Sequence, residues 1–269
     1  MSQSDGPSQD NQRTIGKSVS ISGIGIHSGE SCRVTLKPAG ADNGIFFIFQ
    51  GKKFPARADL VTDTSRGTSV SKIQVVEHLM AAVSGLGIDN LEIELSSREL
   101  PMLDGSALPY LQALKSAGIL DLGKPKNSLS VSSEIKITDG QSSIRIVPFN
   151  GFRVNFMIDF PYIGRQEFSY SGGFEAEIAP ARTFGLIEEL EQLKSRGLAK
   201  GASLENALAI DKNGYLNAPR FKDEPVRHKV LDLIGDFALI GRPVRGEVFA
   251  IKSGHKLNIE LSRRLLALC

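Results

Sequence analysis

The feature that most constrains the fold is an order of strands followed by helices that occurs twice along the chain. Residues 14–60 alternate between apolar and polar side chains as strands do, and apolar residues at helical spacing then predict helices over about 73–86 and 106–117. The order begins again after residues 121–127, whose sequence DLGKPKN is typical of a linker. Strands grouped in runs with fewer helices predict an α+β fold with two similarly built domains.

The second half of the chain repeats the pattern of the first. Its predicted elements are strands within 135–160, helices over about 186–196, 224–240 and 255–267, and a strand over 246–252. We therefore expect a disordered tail over 1–12, a first domain over 13–124 and a second domain over 125–269. A short echo agrees with this division, since two sets of residues share one spacing: Val76, His78 and Gly85 in the first half, and Val226, His228 and Gly235 in the second.

Composition and charge exclude several classes of protein. Of 269 residues, 41% are hydrophobic and 23% are charged, which is typical of globular chains. The net charge of only +2 argues against an extended nucleic-acid surface. No apolar run approaches the ~18 residues of a membrane span, and the polar start lacks the apolar core of a signal peptide. We expect a cytoplasmic protein that acts as a monomer.

The two cysteines do not form a disulfide framework. Cys32 shares a predicted strand face with Val34 and Leu36, which indicates a buried thiol, and Cys269 is the last residue. This usage favours a reducing compartment. The glycine-rich run 23–29 superficially suggests a dinucleotide loop, but a strand follows it where a helix is required, so a tight turn is the better interpretation.

The predicted helix over 224–240 carries the first candidate metal ligands. Val226, Val230 and Leu233 form its apolar stripe, and His228 and Asp232 lie on the opposite side, one turn apart. A histidine and a carboxylate at this spacing can reach one metal ion. The alternative is a solvated polar face with an ordinary ion pair.

A second helix supplies a candidate third ligand. Glu77 and His78 occur together on a helix that is otherwise almost entirely apolar, and such a pair is costly to bury without a partner. His78 would complete a set of two histidines and one carboxylate, which leaves a position open as in catalytic zinc sites, and Glu77 would be the general base. The same ligand set also suits iron(II).

Three further residues flank these candidates. His255 follows a predicted strand at the start of the last helix, where a histidine in an ordinary turn is an equally good interpretation. Lys229 and Lys252 could hold a phosphate or an oxyanion, although lysines are also common on surfaces.

Several short motifs occur in an order that is recognisable as a whole. The chain resembles the UDP-3-O-acyl-N-acetylglucosamine deacetylases, zinc enzymes of the committed step of lipid A synthesis, over roughly residues 14–268. The motifs that carry the resemblance are Gly25-Ile26-His27-Ser28-Gly29, Val76-Glu77-His78-Leu79, Gly85-Leu86-Gly87-Ile88-Asp89-Asn90, Pro101-Met102-Leu103-Asp104-Gly105-Ser106, Ala181-Arg182-Thr183-Phe184-Gly185, Val226-Arg227-His228-Lys229 with Asp232, Gly235 and Asp236, and Lys252-Ser253-Gly254-His255.

The resemblance implies a fold and a set of roles. It implies two α+β domains whose helices pack together between the sheets, and hydrolysis of the N-acetyl group of an acylated UDP-sugar. The roles that it implies are zinc binding by His78, His228 and Asp232, proton abstraction from water by Glu77, oxyanion stabilisation by Thr183, proton donation by His255 with Asp236 as its orienting partner, charges from Lys229 and Lys252 facing the intermediate and the diphosphate, and substrate contact by Phe184. His27 lies on a family motif without an assigned role.

The chain departs from the family pattern at two places that concern the acyl chain. The segment between Phe160 and Ala181, which in the family forms an inserted passage, is short here, and the insertion near 50–70 is compact, with Gly67 where a larger residue is expected. We expect residues 161–179, including Phe168, to line an acyl-chain groove, the alternative being that they only cover the second sheet. The competing functions are a metal-dependent amidohydrolase for another acylated sugar and a non-catalytic, metal-containing binding module.

Overall fold

The computed structural model describes residues 11–268. The strands within this range are β1 (Asn11–Ile15), β2 (Val19–Ile24), β3 (Ser31–Pro38), β4 (Ile45–Phe49), β5 (Lys52–Pro55), β6 (Val61–Asp63), β7 (Ser69–Val70), β8 (Leu91–Leu95), β9 (Ile119–Pro125), β10 (Leu129–Ser130), β11 (Ile135–Asp139), β12 (Ser142–Val147), β13 (Phe152–Phe160), β14 (Gly164–Tyr170), β15 (Phe184–Leu186), β16 (Leu208–Asp211), β17 (Gly214–Tyr215) and β18 (Val244–Ile251). The helices are α1 (Glu77–Gly85), α2 (Leu108–Ser116), α3 (Phe174–Glu177), α4 (Ile187–Ser195), α5 (Glu224–Ala238) and α6 (His255–Leu266).

The two halves of the chain contain sheets of the same topology. The first sheet has the order β2-β3-β8-β4-β5, and the second has the order β11-β12-β18-β13-β14 with β10 added beside β18. In each sheet one central pair is parallel, β4 with β8 and β13 with β18, and the remaining pairs of that order are antiparallel. A helix precedes the central strand in both halves, α1 before β8 and α5 before β18, and another helix follows it. The predicted α+β class and the similar construction of the two halves are confirmed.

The alternation that predicts strands reports which face is buried. In β3 the side chains of Cys32, Val34 and Leu36 are fully buried, whereas Ser31 and Arg33 are exposed. Cys32 is a free thiol, as predicted, and Cys269 lies outside the described residues. The apolar face of each sheet packs against helices because burying that surface is the main favourable term in folding.

Helices α1 and α5 pack against each other between the two halves, and a glycine permits their close approach. A Cβ atom on Gly235 would lie 2.1 Å from the backbone oxygen of Glu77. This contact brings the start of α1 against the middle of α5, so the residues of both helices face one site. The alternative of a solvated polar face on α5 is wrong, because His228 and Asp232 are only 2% and 3% exposed.

We expect Gly235→Ala to destabilise the fold. The added methyl would overlap backbone atoms that a side-chain rotation cannot move, and overpacking of this kind typically costs about 1–3 kcal/mol. Urea unfolding would measure the loss. The matched control is Gly40→Ala, where nothing lies within 4 Å of the added Cβ. Equal stability of the two variants would contradict a tight contact between the helices.

The boundary predictions at the ends of the first half need correction. Asn11 and Gln12, assigned to the tail, lie in β1, which pairs with β9. The amide of Gln12 donates to Asp42 Oδ1 at 2.8 Å, and its side-chain oxygen accepts from the Asp42 amide. Residues 121–125 of the predicted linker form part of β9, because pairing with β1 satisfies their backbone. Residues 1–10 lie outside the described residues.

Candidate metal centre and catalytic cleft

Three side chains from α1 and α5 converge on one point. The Nε2 atom of His228 lies 3.3 Å from Asp232 Oδ1, and the Nε2 atom of His78 lies 4.0 Å from the same oxygen. One ligand atom from each of the three residues falls within 4.8 Å of the others. The helical spacing of His228 and Asp232 was predictable, whereas the arrival of His78 depends on the packing of α1 on α5.

A hydrogen bond on the side of the ring away from the cluster fixes the orientation of His228. Its Nδ1 atom donates to the backbone oxygen of Ala181 at 3.0 Å, which leaves Nε2 to face the cluster. The neighbouring backbone is held by a buried ion pair, since Arg182 Nε and its backbone N–H both donate to Glu224 Oε1 at 2.9 Å. The geometry of one ligand therefore depends on a loop about 47 residues away in sequence.

The donor set of this cluster fits a metal ion. Asp232 Oδ1 is buried and accepts no hydrogen bond from any residue within 11–268, although it points between two histidine rings. Burial and the nearby His228 lower the pKa of His78 to about 3, and burial lowers the pKa of His228 as well. Burial alone would raise the pKa of Asp232, but His228 and the other cationic neighbours outweigh it and hold that pKa well below its usual range. Neutral imidazoles beside an ionised carboxylate are the protonation states that metal binding requires.

Glu77 lies beside the cluster with one oxygen anchored. Its Oε2 atom accepts from the backbone N–H of Thr68 at 2.9 Å, and its Oε1 atom lies 4.0 Å from His255 Nε2. Burial raises the pKa of Glu77 to about 7. A carboxylate with a pKa near neutrality is suited to accept and release a proton. The residue is 3% exposed.

His255 faces the cluster from the other side. Its Nδ1 atom donates to Asp236 Oδ2 at 2.9 Å, and its Nε2 atom lies 3.8 Å from Asp232 Oδ2. Burial disfavours the charged ring, but the carboxylates of Asp236 and Asp232 outweigh this effect and raise the pKa of His255 to about 9. The ring is therefore protonated at neutral pH and can act as a general acid. The alternative of a histidine in an ordinary turn is not supported by this geometry.

Three more predicted residues line the same cleft. Thr183 follows the loop that orients His228, and its backbone N–H donates to the oxygen of Gly105 at 2.7 Å. Lys229 Nζ donates to Asp232 Oδ2 at 3.0 Å and lies 5.6 Å from the centre of the Phe184 ring. Burial opposes the charge of Lys229, but the Asp232 carboxylate outweighs burial and raises its pKa. A permanent positive charge thus faces the cleft beside an aromatic wall.

The cleft itself has a volume of about 490 Å³ and extends from the charged cluster into an apolar region. Two of its apolar side chains are left exposed, Ile187 at 40% and Leu204 at 54%. We call this region the apolar arm; it is lined by Leu186, Leu190, Leu193, Leu204 and Leu208.

The structure does not bring the predicted acyl-chain groove over 161–179 to this cleft. None of these residues, all of which the structure describes, lines the cleft. Phe168 lies on β14, where its ring stacks on the guanidinium of Arg227 at 4.1 Å, and Phe174 is buried in the core. β14 is the edge strand of the second sheet, and both phenylalanines belong to or pack against the hydrophobic core.

Lys252 and His27, also singled out from the sequence, are not part of the three-residue cluster. Lys252 does not line the cleft; its Nζ atom donates to Asp159 Oδ2 at 2.8 Å. His27 lines the cleft and its Nε2 atom bonds the backbone oxygen of Arg66 at 2.9 Å. The backbone N–H groups of His27 and Ser28 donate to Glu99 at 2.7 Å, which fixes the turn that carries this histidine.

Between β6 and α1, sequence reasoning noted Gly67 only for its small size and missed Thr68. Gly67 has φ of +133°, and a Cβ atom on it would lie 2.8 Å from Glu77 Oε1, so a larger residue there would press on this carboxylate. Thr68 is fully buried and contacts both Glu77 and Asp236. The apolar arm was also missed, since the leucines of α4 have the spacing of any amphipathic helix. No local signal distinguishes these residues from ordinary turn and surface positions.

The fold and the site together define a class of protein. Two α+β units whose central helices bring together two histidines and an aspartate, with a buried glutamate and a further histidine beside them, have the arrangement of a metal-dependent hydrolase. The family model that matches this chain is that of the UDP-3-O-acyl N-acetylglycosamine deacetylases (LpxC), over residues 12–267. The chain belongs to this family. It is therefore an amide-hydrolysing enzyme, as predicted, and the interpretation as a non-catalytic module is set aside.

Curated relatives agree with the family model. The chain is 43% identical to the UDP-3-O-acyl-N-acetylglucosamine deacetylase of Myxococcus xanthus, with 97% of this chain and 88% of that protein covered. It is 45% identical to the protein of the same name from Anaeromyxobacter dehalogenans, covering 96% and 88%. It is 42% identical to the protein of that name from Xanthomonas oryzae, and the match covers 95% of this chain and 90% of that protein. No helix in the described part of the chain is long and apolar enough to cross a membrane.

Proposed function

We propose that this enzyme hydrolyses the N-acetyl group of UDP-3-O-acyl-N-acetylglucosamine, as the names of its relatives describe, with zinc at His78, His228 and Asp232. The observation that carries the proposal is the convergence of this ligand set with Glu77 and His255 around one cleft. The products would be acetate and the free amine, in the committed step of lipid A synthesis. Two histidines and a carboxylate also suit iron(II), so metal analysis belongs to the test.

The first half of the reaction uses Glu77, Thr183 and Lys229. When bound, the zinc ion supplies Lewis-acid chemistry that polarises the acetyl carbonyl and makes water more acidic. Glu77 accepts a proton through Oε1, because Oε2 is held by the Thr68 N–H, and the water oxygen forms a bond to the carbonyl carbon. The Thr183 hydroxyl and the Lys229 charge stabilise the negative charge that develops on the carbonyl oxygen.

The second half of the reaction uses His255. Its Nε2 proton is transferred to the amide nitrogen as the carbon–nitrogen bond breaks, so that the sugar leaves as an amine and not as an unstable anion. Asp236 fixes the ring through Nδ1 and keeps the proton on Nε2 directed into the cleft. Lys252 is assigned to the diphosphate, which would have to compete with Asp159 for its ammonium group.

The acyl chain is assigned to the apolar arm. Exposed apolar side chains such as Ile187 and Leu204, in a cleft beside a polar site, are typical of a surface that a ligand covers. The apolar arm thus takes the role that was predicted for residues 161–179. Phe184 is assigned to contact the substrate where the sugar meets the acyl chain, since its ring lies beside Lys229.

The experiment that tests the proposal is acetate release followed by mass spectrometry. UDP-3-O-acyl-N-acetylglucosamine should yield one acetate per turnover, and a chelator should abolish the reaction until zinc is restored. A panel of other N-acetylated, acylated sugars separates this function from the alternative, a metal-dependent amidohydrolase for a different sugar. Equal or higher kcat/KM on a sugar without the nucleotide would favour that alternative.

The pH profile should report His255. Because the general acid must carry its proton, kcat should fall as pH rises through the pKa of His255, which Asp236 and Asp232 raise to about 9. A metal ion on Asp232 offsets part of that carboxylate's charge, so the alkaline limb should lie at or below this value. The limb should be absent from the residual activity of His255→Ala. An unchanged limb in that variant would assign proton donation to another group.

The dependence of kcat/KM on the length of the acyl chain should show that this chain binds in the apolar arm. Each buried methylene contributes about 0.8 kcal/mol, so removing four carbons from the acyl chain should cost roughly 3 kcal/mol, or on the order of 200-fold in kcat/KM. Leu193→Trp should shorten the length at which kcat/KM stops increasing. Phe168→Ala is the control and should leave the length dependence unchanged. The opposite ranking of the two variants would return the acyl chain to residues 161–179.

A further inference from the structure

Thr68 connects the two groups that handle protons. Its backbone N–H donates to Glu77 Oε2 at 2.9 Å, and its hydroxyl donates to Asp236 Oδ1 at 2.5 Å. The same hydroxyl oxygen lies 3.2 Å from His255 Nδ1. Thr68 is fully buried and lies between β6 and β7, at a distance in sequence of 168 residues from Asp236.

The two oxygens of the Asp236 carboxylate have different hydrogen-bond partners. Its Oδ2 atom accepts from His255 Nδ1 and from Asn258 Nδ2, both at 2.9 Å, while Oδ1 accepts from Thr68. Without the threonine hydroxyl, Oδ1 would lose this partner in a buried position, and the carboxylate could rotate away from the geometry that holds the imidazole. From this arrangement we infer that Thr68 is a positioning residue, whose hydroxyl holds Asp236 and thereby directs the Nε2 atom of His255 into the cleft.

The inference rests on the proposed role of His255 and is tested by replacing only the hydroxyl. Thr68→Val keeps the shape and the backbone N–H to Glu77, so kcat should fall about 10–100-fold, the usual effect of removing an outer hydrogen-bonding partner, with KM and metal content unchanged. Thr68→Ser keeps the hydroxyl and should retain kcat within about threefold.

A double variant separates positioning from a general loss of structure. If the threonine acts through His255, adding Thr68→Val to His255→Ala should cause little further loss of kcat. Wild-type kcat in Thr68→Val, or full additivity of the two losses, would overturn the inference. A failure of the proposed function is distinguishable, because the wild-type enzyme would then release no acetate at all.

A second cavity lies between the two halves of the chain, at the C-terminal ends of α1 and α5. Its volume is about 590 Å³, and it shares no lining residue with the catalytic cleft. Val83, Phe152 and Phe237 contribute to its apolar lining, and Lys126, Arg242 and Arg245 contribute positive charge. Pockets of this size between domains, apolar with a few polar groups, are typical ligand sites.

The charges of this interdomain cavity are not balanced by the protein. Asp89 is the acidic residue in its lining, and its Oδ2 atom already lies 3.0 Å from Lys126 Nζ and accepts from the backbone N–H of Arg13. The guanidinium groups of Arg242 and Arg245 form no hydrogen bond or ion pair with any residue in the range 11–268. We propose that the interdomain cavity binds an amphipathic anion, with its apolar body on the aromatic lining and its anionic head at the two arginines.

Calorimetric titration with decanoate tests this proposal. The Arg242→Ala/Arg245→Ala variant should bind decanoate about tenfold more weakly than wild type at one site, because it lacks charge-assisted contacts to the carboxylate. The control Lys17→Ala/Lys52→Ala removes the same charge from residues outside the cavity lining and should behave as wild type. Decanol, which has the apolar body without the charge, should bind about tenfold more weakly than decanoate.

Neither double variant changes a residue that lines the catalytic cleft. Both double variants keep the apolar arm, so any decanoate bound there is common to them, and KM for the acylated sugar should be the same in both. Identical isotherms for the two double variants, or equal binding of decanol and decanoate, would overturn the proposal. A parallel rise of KM in the arginine variant would also overturn it, since the anion would then be acting at the cleft.

Discussion

Glu77→Gln is expected to lower kcat by about 10²–10⁴-fold while the enzyme keeps its metal. The amide has the size of the carboxylate, and its oxygen can still accept from the Thr68 N–H, so the start of α1 should keep its structure. It cannot accept a proton from water at neutral pH, and the step that generates the nucleophile is therefore lost. The measurements are single-turnover acetate release and metal content by mass spectrometry.

The metal content decides what the loss of activity in Glu77→Gln means. The wild-type zinc stoichiometry with unchanged KM would assign Glu77 to proton transfer. Loss of zinc from this variant would instead make Glu77 a ligand, and the general base would have to be sought elsewhere. Near-wild-type turnover would show that the raised pKa of Glu77, to about 7, reflects burial without a catalytic task.

The second large effect is expected from His78→Ala, which should lose most bound metal and most activity together. The remaining ligands, His228 and Asp232, lie one turn apart on a single helix, and two ligands hold zinc far more weakly than three. His228→Ala and Asp232→Ala should behave in the same way. Equilibrium dialysis against zinc, with metal-free wild type as reference, measures the loss directly.

His27→Ala provides the matched control for this experiment. His27 also lines the cleft, but its Nε2 atom bonds the Arg66 backbone and it is not one of the three clustered residues. It should keep its zinc. Full metal occupancy in His78→Ala would contradict the ligand assignment, and loss of zinc from His27→Ala would show that the set of ligands is larger than three.

Much of the architecture was predictable because its signals are local. Alternation of side chains marked strands such as β3, and helical spacing located α5 and α6 to within two residues of their observed ends. The echo between the two helices that carry His78 and His228 agrees with the identical strand order of the two sheets. The predicted tail and linker were less accurate, because β1 and β9 stabilise each other only when paired across about a hundred residues.

The candidate site was predictable only in part from residue type and spacing. The spacing of His228 and Asp232 is set within one helix, so the sequence contains their geometry. Other contacts of the site join separate elements, so no spacing along the chain predicts them. They are the pairing of His255 with Asp236 and the contacts of Thr68. The aromatic residues over 161–179 resemble a lipid-binding segment in composition, but composition does not show whether they reach the cleft, and in the structure none of them lines it.

The sequence by itself determined the fold class, the division into two similar halves, the residue types of the candidate ligands and, through its motifs, the family. These depend on periodicity and on residue type, which are properties of short stretches of chain. Only the tertiary structure decided that Gly235 lets α1 approach α5, that Asp232 Oδ1 faces two histidine rings, and that α4 lines the apolar arm. Such contacts arise from close packing of elements distant in sequence, and the energy that selects them belongs to no single segment.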